Sequence, residues 1–227
     1  MELQPSKLGT KDHWDKVYEE ELSNFEEFGD EGEIWFGTES VEKMRDWAGE
    51  HVPISSQPYI LEIGSGNGTL LFSLTDAGYD PSRLFGIDYS PDAVRLATSI
   101  AETRGTTVEF TANDFLKEDT PMPPSPNENE GWNLILDKGT FDAMALATKD
   151  DSGQSPHDVY PHKIANALCS EGYFLITSCN FTEDELKEIF AKPRTGLTYH
   201  SRIQHPTYTF GGKSGSICAS VAFYKPK

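Results

Sequence analysis

The chain has 227 residues, enough for one substantial domain with its own core, and its 37% apolar and 25% charged content is ordinary for a globular protein. A formal charge of −18 argues against a nucleic-acid partner, which needs a basic face, and no apolar run approaches the roughly 18 residues that span a bilayer. Cys169, Cys179 and Cys218 are scattered without metal spacing and Met1 to Thr10 lacks signal-peptide character, so reduced thiols in an intracellular compartment are expected.

The charge is uneven. Between Asp12 and Glu50 there are fourteen acidic and three basic residues, a net −11 of the −18. This is either a solvated helical face or an electrostatic landing area for a basic protein. Thr10 is placed to cap a helix in which Trp14, Val17, Tyr18 and Leu22 form one stripe. Two large aromatics then sit between glycines in Gly32-Glu33-Ile34-Trp35-Phe36-Gly37. They either plug the edge of the core or lid a crevice. A second helix, about Glu39 to Ala48, turns Val41, Met44 and Trp47 inward.

Tyr59 to Ile63 is a short β-branched run of the kind buried on both faces, followed by Gly64-Ser65-Gly66-Asn67-Gly68 and a helix carrying Leu70, Leu71, Leu74 and Ala77. Such a turn aims backbone N–H groups and a helix N-terminus into the crevice above a sheet, which predicts a nucleotide-like cofactor. A dinucleotide fingerprint places its third small residue five positions after the first, here Thr69, whereas the third glycine is Gly68. That spacing removes a nicotinamide oxidoreductase.

Arg83 to Asp88 is the next strand, and its terminal Asp88 lies twenty residues after Gly68. Alone it reads as a cap for the helix begun by Ser90-Pro91; beside a glycine turn it reads as an acceptor for two ribose hydroxyls. Thr107 to Thr111 is a third strand, followed by Asn113-Asp114-Phe115. Asp114 and Phe115 either take the edge and face of an adenine or form a capped turn. Glu118 to Gly131 is a Pro-rich surface loop.

Trp132 to Asp137 is a fourth strand ending in Asp137-Lys138-Gly139-Thr140-Phe141-Asp142. Ligands of open α/β sheets bind beyond the carboxyl ends of the strands, so Asp137 and its neighbours are expected to face the reaction centre, with Lys138 as the surface ion partner of Asp137. A polar loop over Thr148 to Pro156 precedes a helix from Asp158 to Leu168. Gly172 to Asn180 is a fifth strand, and Thr182-Glu183-Asp184-Glu185 is a capping box for a further helix. Leu197 to His205 and Ser216 to Lys225 read as two final strands with a turn at Phe210 to Gly215. Its Gly212-Lys213-Ser214 lacks the leading spacing of a phosphate loop. None of the six histidines has catalytic spacing, and all are expected on the surface or in loops.

The form Glu62-x-Gly64-x-Gly66-x-Gly68 resembles that of seven-strand S-adenosylmethionine (SAM) methyltransferases. Leu8-Gly9-Thr10-Lys11 with Trp14, the Gly32–Gly37 phrase, Gly86-Ile87-Asp88-Tyr89-Ser90, Asp137 to Ala143, Phe174 to Asn180 and Phe210-Gly211-Gly212 narrow the likeness. Together they resemble the eukaryotic lysine methyltransferases that modify translation elongation factor 1-alpha, from about Leu8 to Tyr224. The departures lie in the loops at Glu118–Gly131 and Thr148–Pro156.

The resemblance implies an α/β fold: a Rossmann-like seven-strand sheet with helices on both faces and the last strand antiparallel. It implies one structural unit in two parts, residues 1–55 as an acidic helical segment capping the cofactor cleft and 56–227 as the methyltransferase domain. SAM would be the donor, S-adenosylhomocysteine the product, and a lysine ε-amine of the basic elongation factor the acceptor. Carried over by position, Glu62, Gly64, Gly66 and Gly68 shape the methionine and ribose pocket and Asp88 takes the ribose hydroxyls. Tyr89, Asp114 and Phe115 would hold the adenine, and Trp14 and Trp35 would close the pocket. A monomer is expected, in the cytoplasm and secondarily the nucleus, without metal, nucleic acid or membrane.

Transfer is an in-line displacement that needs a neutral amine, and at a free pKa near 10.4 deprotonation at neutral pH costs roughly 4 kcal/mol. Alignment of the reactants supplies roughly 7–11 kcal/mol. A carboxylate favours the ammonium, so Asp137 is assigned to orienting the amine and not to general-base duty. The competing readings are a SAM methyltransferase acting on another protein or a small molecule, and a binding module that retains the fold without turnover.

Overall fold

The computed structural model describes residues 3–124, 131–149, 155–206, 208–210 and 213–227. The expected turn at Gly211 and Gly212, and the centres of the loops at 125–130 and 150–154, lie outside the described residues. Seven strands make one sheet: β1 (Ile60–Ile63), β2 (Leu84–Asp88), β3 (Glu109–Ala112), β4 (Trp132–Lys138), β5 (Leu168–Ser178), β6 (Thr198–Ile203) and β9 (Ala219–Tyr224). Their order is β3-β2-β1-β4-β5-β9-β6. The pairs from β3 through β5 are parallel, and β9 runs antiparallel between β5 and β6. Strand order therefore reverses between β1 and β4, where such sheets bind their ligands.

The apolar runs read as central strands are central: Ile60, Leu61, Leu134, Ile135, Leu136, Phe174, Leu175 and Ile176 are all fully buried. On one face of the sheet lie α1 (Lys11–Phe28), α2 (Gly37–His51), α3 (Thr69–Asp76) and α4 (Pro91–Arg104), packed around Leu70, Leu71, Leu96 and Met44. On the other, α6 (Pro156–Ala167) and α7 (Glu183–Phe190) enclose Phe141, Tyr160, Phe174 and Phe190; α5 (Thr140–Ala145) follows β4 directly. Tyr18, Leu22, Val41 and Trp47 share the first core, so the acidic amino-terminal helices are built into the domain. Their glutamates at positions 19, 20, 26 and 27 are exposed.

Local differences from the sequence reading have identifiable causes. Thr10 and Ser90 sit at helix N-cap positions, but neither hydroxyl caps. Thr10 Oγ1 donates to the Lys7 carbonyl, and the Ser90 N–H is taken by Asp88 Oδ1 at 2.9 Å. β5 begins at Leu168, four residues earlier than expected, because Leu168 pairs with Trp132 across a register shift. The connection before β9 carries a small antiparallel ribbon, β7 (Tyr208–Phe210) with β8 (Lys213–Gly215), where a plain turn was expected. His205 is buried, 2.7 Å from Ser220 Oγ, and is no surface residue. The capping box at Thr182 and Glu185 is present with both of its bonds. Among the described residues no helix is long and apolar enough to cross a membrane.

Candidate active site

A cleft of about 650 Å³ opens beyond the carboxyl ends of β1, β2 and β4, at the point where strand order reverses. Its floor is the glycine turn. Gly64, Gly66 and Gly68 all have positive φ, which disfavours any side chain. A Cβ on Gly64 would lie 2.1 Å from Thr140 Oγ1, and one on Gly66 would lie 2.5 Å from the Tyr18 hydroxyl. Glycine is required here because α1 and the start of α5 close directly on the turn.

The hydrogen bonds of this turn say what it can hold. The N–H groups of Gly64 and Ser65 donate to the Ile87 carbonyl, that of Gly66 to Asp88 Oδ2, and that of Gly68 to the Ser65 carbonyl. At the start of α3, the Thr69 N–H donates to Asn67 Oδ1, and the Leu71 N–H bonds the buried Glu62 carboxylate. Six N–H groups of the turn and the start of α3 are thus consumed inside the protein, which leaves little for a diphosphate. The sequence expectation of a turn offering free N–H groups does not hold for these six. What remains is a close, largely apolar floor with Asp88 beside it, which suits a cationic sulfonium ligand carrying a ribose and no phosphate.

Asp88 is nearly buried at the end of β2, and each of its oxygens accepts one backbone N–H, from Ser90 and from Gly66. A carboxylate has about four lone-pair sites, so two are left for a ligand. Burial pushes its pKa up to about 6, against the pull of those two N–H groups. Tyr89 follows it in the cleft wall, with Lys11 Nζ 5.3 Å from the ring centre. Asp114 lines the cleft while its Oδ1 accepts the Leu116 and Lys117 N–H groups at 3.2 and 3.3 Å. It is therefore a turn-capping aspartate that also faces the cleft. Phe115 is buried beside it, edge-on to Tyr160.

Trp14 and Trp35 both line the cleft and meet edge to face at 4.9 Å. Trp14 Nε1 donates to the Leu8 carbonyl at 2.6 Å, and the Ser6 N–H to the Leu146 carbonyl at 3.1 Å. These bonds draw the amino-terminal segment across the opening. The two aromatics of the Gly32–Gly37 phrase thus belong to the cleft wall, where Phe36, itself at φ 63°, packs so closely on Gly139 that a Cβ there would be 2.3 Å from the ring.

Three of the eleven sequence-predicted site residues do not line the cleft: Glu62, Gly68 and Asp137. Glu62 lies beneath the turn, and Gly68 faces Phe110. Asp137 is wholly buried and fully engaged, accepting the Thr140 and Phe141 N–H groups at 2.9 and 3.0 Å and the Tyr160 hydroxyl. Burial raises its pKa to about 7 even so. It organises the β4–α5 turn from below and is not placed to meet an incoming amine, which corrects the expectation that it faces the reaction centre.

Lys138 is likewise no surface partner of Asp137. It lines the cleft, and its Nζ donates to the Trp35 carbonyl at 3.1 Å, tying the aromatic loop to β4. Burial holds the Lys138 pKa down and the Glu62 pKa up, and the attraction between the two opposes both shifts. Residues that the sequence reading left out of the site, and that the structure puts in the cleft wall, include Tyr18, Asn67, Asp142 and Asn180. Tyr18 had an apparent role in the helix stripe, and Asp142 and Asn180 stood only as members of the Asp137–Ala143 and Phe174–Asn180 phrases, with no role of their own.

A methyltransferase-domain family profile matches residues 54–211. Similar solved structures include the N-methyltransferase NodS from Bradyrhizobium japonicum with S-adenosylhomocysteine, at TM-score 0.59 and 18% identity over 94% of this chain and 99% of that one. The [4+2]-cyclase SpnF superposes at TM-score 0.64 and 13% identity over 99% and 97% of the two chains. Fold, cleft and profile define a SAM-dependent methyltransferase, with SAM as the methyl donor. Within that class, the chain is 42% identical to protein-lysine N-methyltransferase efm4 of Schizosaccharomyces pombe over 97% of its length and 95% of the relative's. It is 40% identical to human EEF1A lysine methyltransferase 2 over 97% and 88%. The chain belongs to this family of protein-lysine N-methyltransferases.

Proposed function

We propose that the protein methylates a lysine of translation elongation factor 1-alpha. The observation that carries this reading is the near-full-length likeness to relatives named for that substrate, joined to a cleft whose floor suits SAM. In this reading the exposed acidic face of α1 meets a basic protein.

The donor supplies a methyl on a positively charged sulfur, displaced in line by a lysine lone pair. The chain's residues position the two reactants. Asp88 would accept both ribose hydroxyls through its two remaining lone-pair sites, and Tyr89, Asp114 and Phe115 would hold the adenine. Gly64 and Gly66 allow close contact with the main chain, while Glu62 and Gly68 support the turn from behind. Trp14 and Trp35 exclude water from the amino-terminal side. Asp137 acts as a positioning residue through the Thr140 and Phe141 backbone. The amine loses its proton to solvent: the arithmetic of a ~4 kcal/mol deprotonation against roughly 7–11 kcal/mol from alignment requires no dedicated base.

Incubation with labelled SAM and a cell extract tests the assignment. A single labelled protein of the size of the elongation factor is expected. Label confined to small molecules, or to a different protein, refutes it.

A further inference from the structure

Among the described residues four carboxylates line the cleft: Glu33, Asp88, Asp114 and Asp142. Asp88 and Asp114 stand at the β2 and β3 end, and Glu33 is exposed on the amino-terminal segment. Asp142 is different. It is 5% exposed, sits in the first turn of α5, and is tied to the loop that follows β5. Oδ1 accepts the Ser178 hydroxyl at 2.5 Å, and Oδ2 accepts the Cys179 N–H at 2.7 Å.

The Ser178 proton has nowhere else to go. Ser178 Oγ already accepts the N–H groups of Asn180 at 3.2 Å and Phe181 at 3.0 Å, which fills its lone pairs. Burial pushes the Asp142 pKa up, and the Ser178 hydroxyl, the Cys179 N–H and thiol and the Asn180 N–H pull against it in favour of the carboxylate. Unlike Asp137, Asp142 belongs to the cleft wall. Beside it Asn180 lines the cleft, its Nδ2 donating to the Asp142 carbonyl at 3.5 Å and its Oδ1 accepting from the weak Cys179 thiol donor at 3.8 Å. The cleft at this end thus presents a buried anion and an amide oxygen, walled by Met144, Trp35 and Phe36. An apolar sleeve ending in two acceptors matches the stem and ammonium of a lysine side chain.

We propose that Asp142, with Asn180 beside it, is the receptor for the substrate lysine ammonium, the role that Asp137 cannot fill because it is wholly buried and forms no part of the cleft wall. This rests on the reading of the protein as a lysine methyltransferase of elongation factor 1-alpha. Binding is selective for the ammonium, and the amine then sheds its proton and turns its lone pair to the donor.

A double-mutant cycle on binding tests the proposal. The full-length enzyme, wild type or Asp142→Asn, is titrated with intact elongation factor carrying either the target lysine, located by mass spectrometry on the wild-type reaction, or methionine at that position. Wild type should bind the lysine form roughly 10- to 100-fold more tightly than the methionine form, and Asp142→Asn should bind the two alike, with SAM affinity within about twofold of wild type. Additive effects, or a fall in SAM affinity of the same size, overturn the assignment. Should Asp142→Asn not fold, Asn180→Ala, which keeps the carboxylate and its donors, should weaken the lysine form about threefold and leave the methionine form unchanged. An equal response to both forms also overturns it. If the wild-type enzyme leaves the elongation factor unmethylated, it is the substrate reading that fails.

Discussion

The two ends of the cleft are built by different means. At the β1–β2 end the functional atoms come from short contiguous phrases and are fixed across two adjacent parallel strands. Gly64 and Ser65 bond the strand beside them, and Asp88 is held by Ser90 and Gly66. At the β4–β5 end the deciding pairs reach into other elements of the fold: Asp137 with Tyr160 of α6, Asp142 with Ser178 and Cys179, Lys138 with Trp35. A motif can announce the first kind of site. The second exists only after β4 and β5 pair and α6 packs over them.

This contrast can be broken first at the glycine turn. Gly64→Ala drives a Cβ into Thr140 at a positive φ, and overpacking with backbone strain should cost about 2–5 kcal/mol and abolish SAM binding, by thermal denaturation and calorimetry. Asp137→Ala strands two backbone N–H groups and a buried tyrosine hydroxyl, and should cost about 3–5 kcal/mol in denaturant unfolding. If Asp137→Ala instead leaves stability unchanged and removes only turnover, the division between a supporting Asp137 and a substrate-facing Asp142 is wrong. Asp88→Asn should leave the fold intact and weaken SAM binding about 10- to 100-fold.

A smaller effect separates the two ends by pH. The folded-state pKa values of Asp88 and Asp137, about 6 and about 7, lie above the ordinary carboxylate value, so the folded chain holds protons that the unfolded chain has lost. Their contribution to stability is complete below about pH 4 and is lost as pH rises through 6 and 7. SAM affinity should move oppositely, strengthening as pH rises through about 6, because ionised Asp88 accepts both hydroxyls. Calorimetry and thermal melts between pH 5 and pH 8 on the order of half-unit steps check both trends. The smallest change is remote from the cleft: Thr182→Ala removes the α7 capping box and should cost about 1 kcal/mol without altering SAM binding.

Much of the fold was legible because the strands are short, β-branched and buried on both faces, and because Gly64, Gly66 and Gly68 lie at a fixed spacing. The insertion of β9 between β5 and β6 left no local trace, since a strand's neighbours are not written in its own pattern. The cleft was legible where its residues end a strand or sit in the turn, as Asp88 does. It was misread at Asp137 because the end of a parallel strand can point its acid either into the crevice or beneath the following helix, and Tyr160, the partner that decides, lies 23 residues away. Asp142 and Asn180 were missed for the same reason: Ser178, which fixes the first, is 36 residues on.

The central claim, that this cleft methylates a lysine of one basic protein, is met most directly by mass spectrometry of purified elongation factor 1-alpha after reaction with the enzyme and SAM. The account predicts methyl groups on a single lysine with wild-type enzyme and a strongly reduced yield with Asp88→Asn at limiting SAM. An elongation factor that stays unmodified under conditions where the enzyme binds SAM would contradict it.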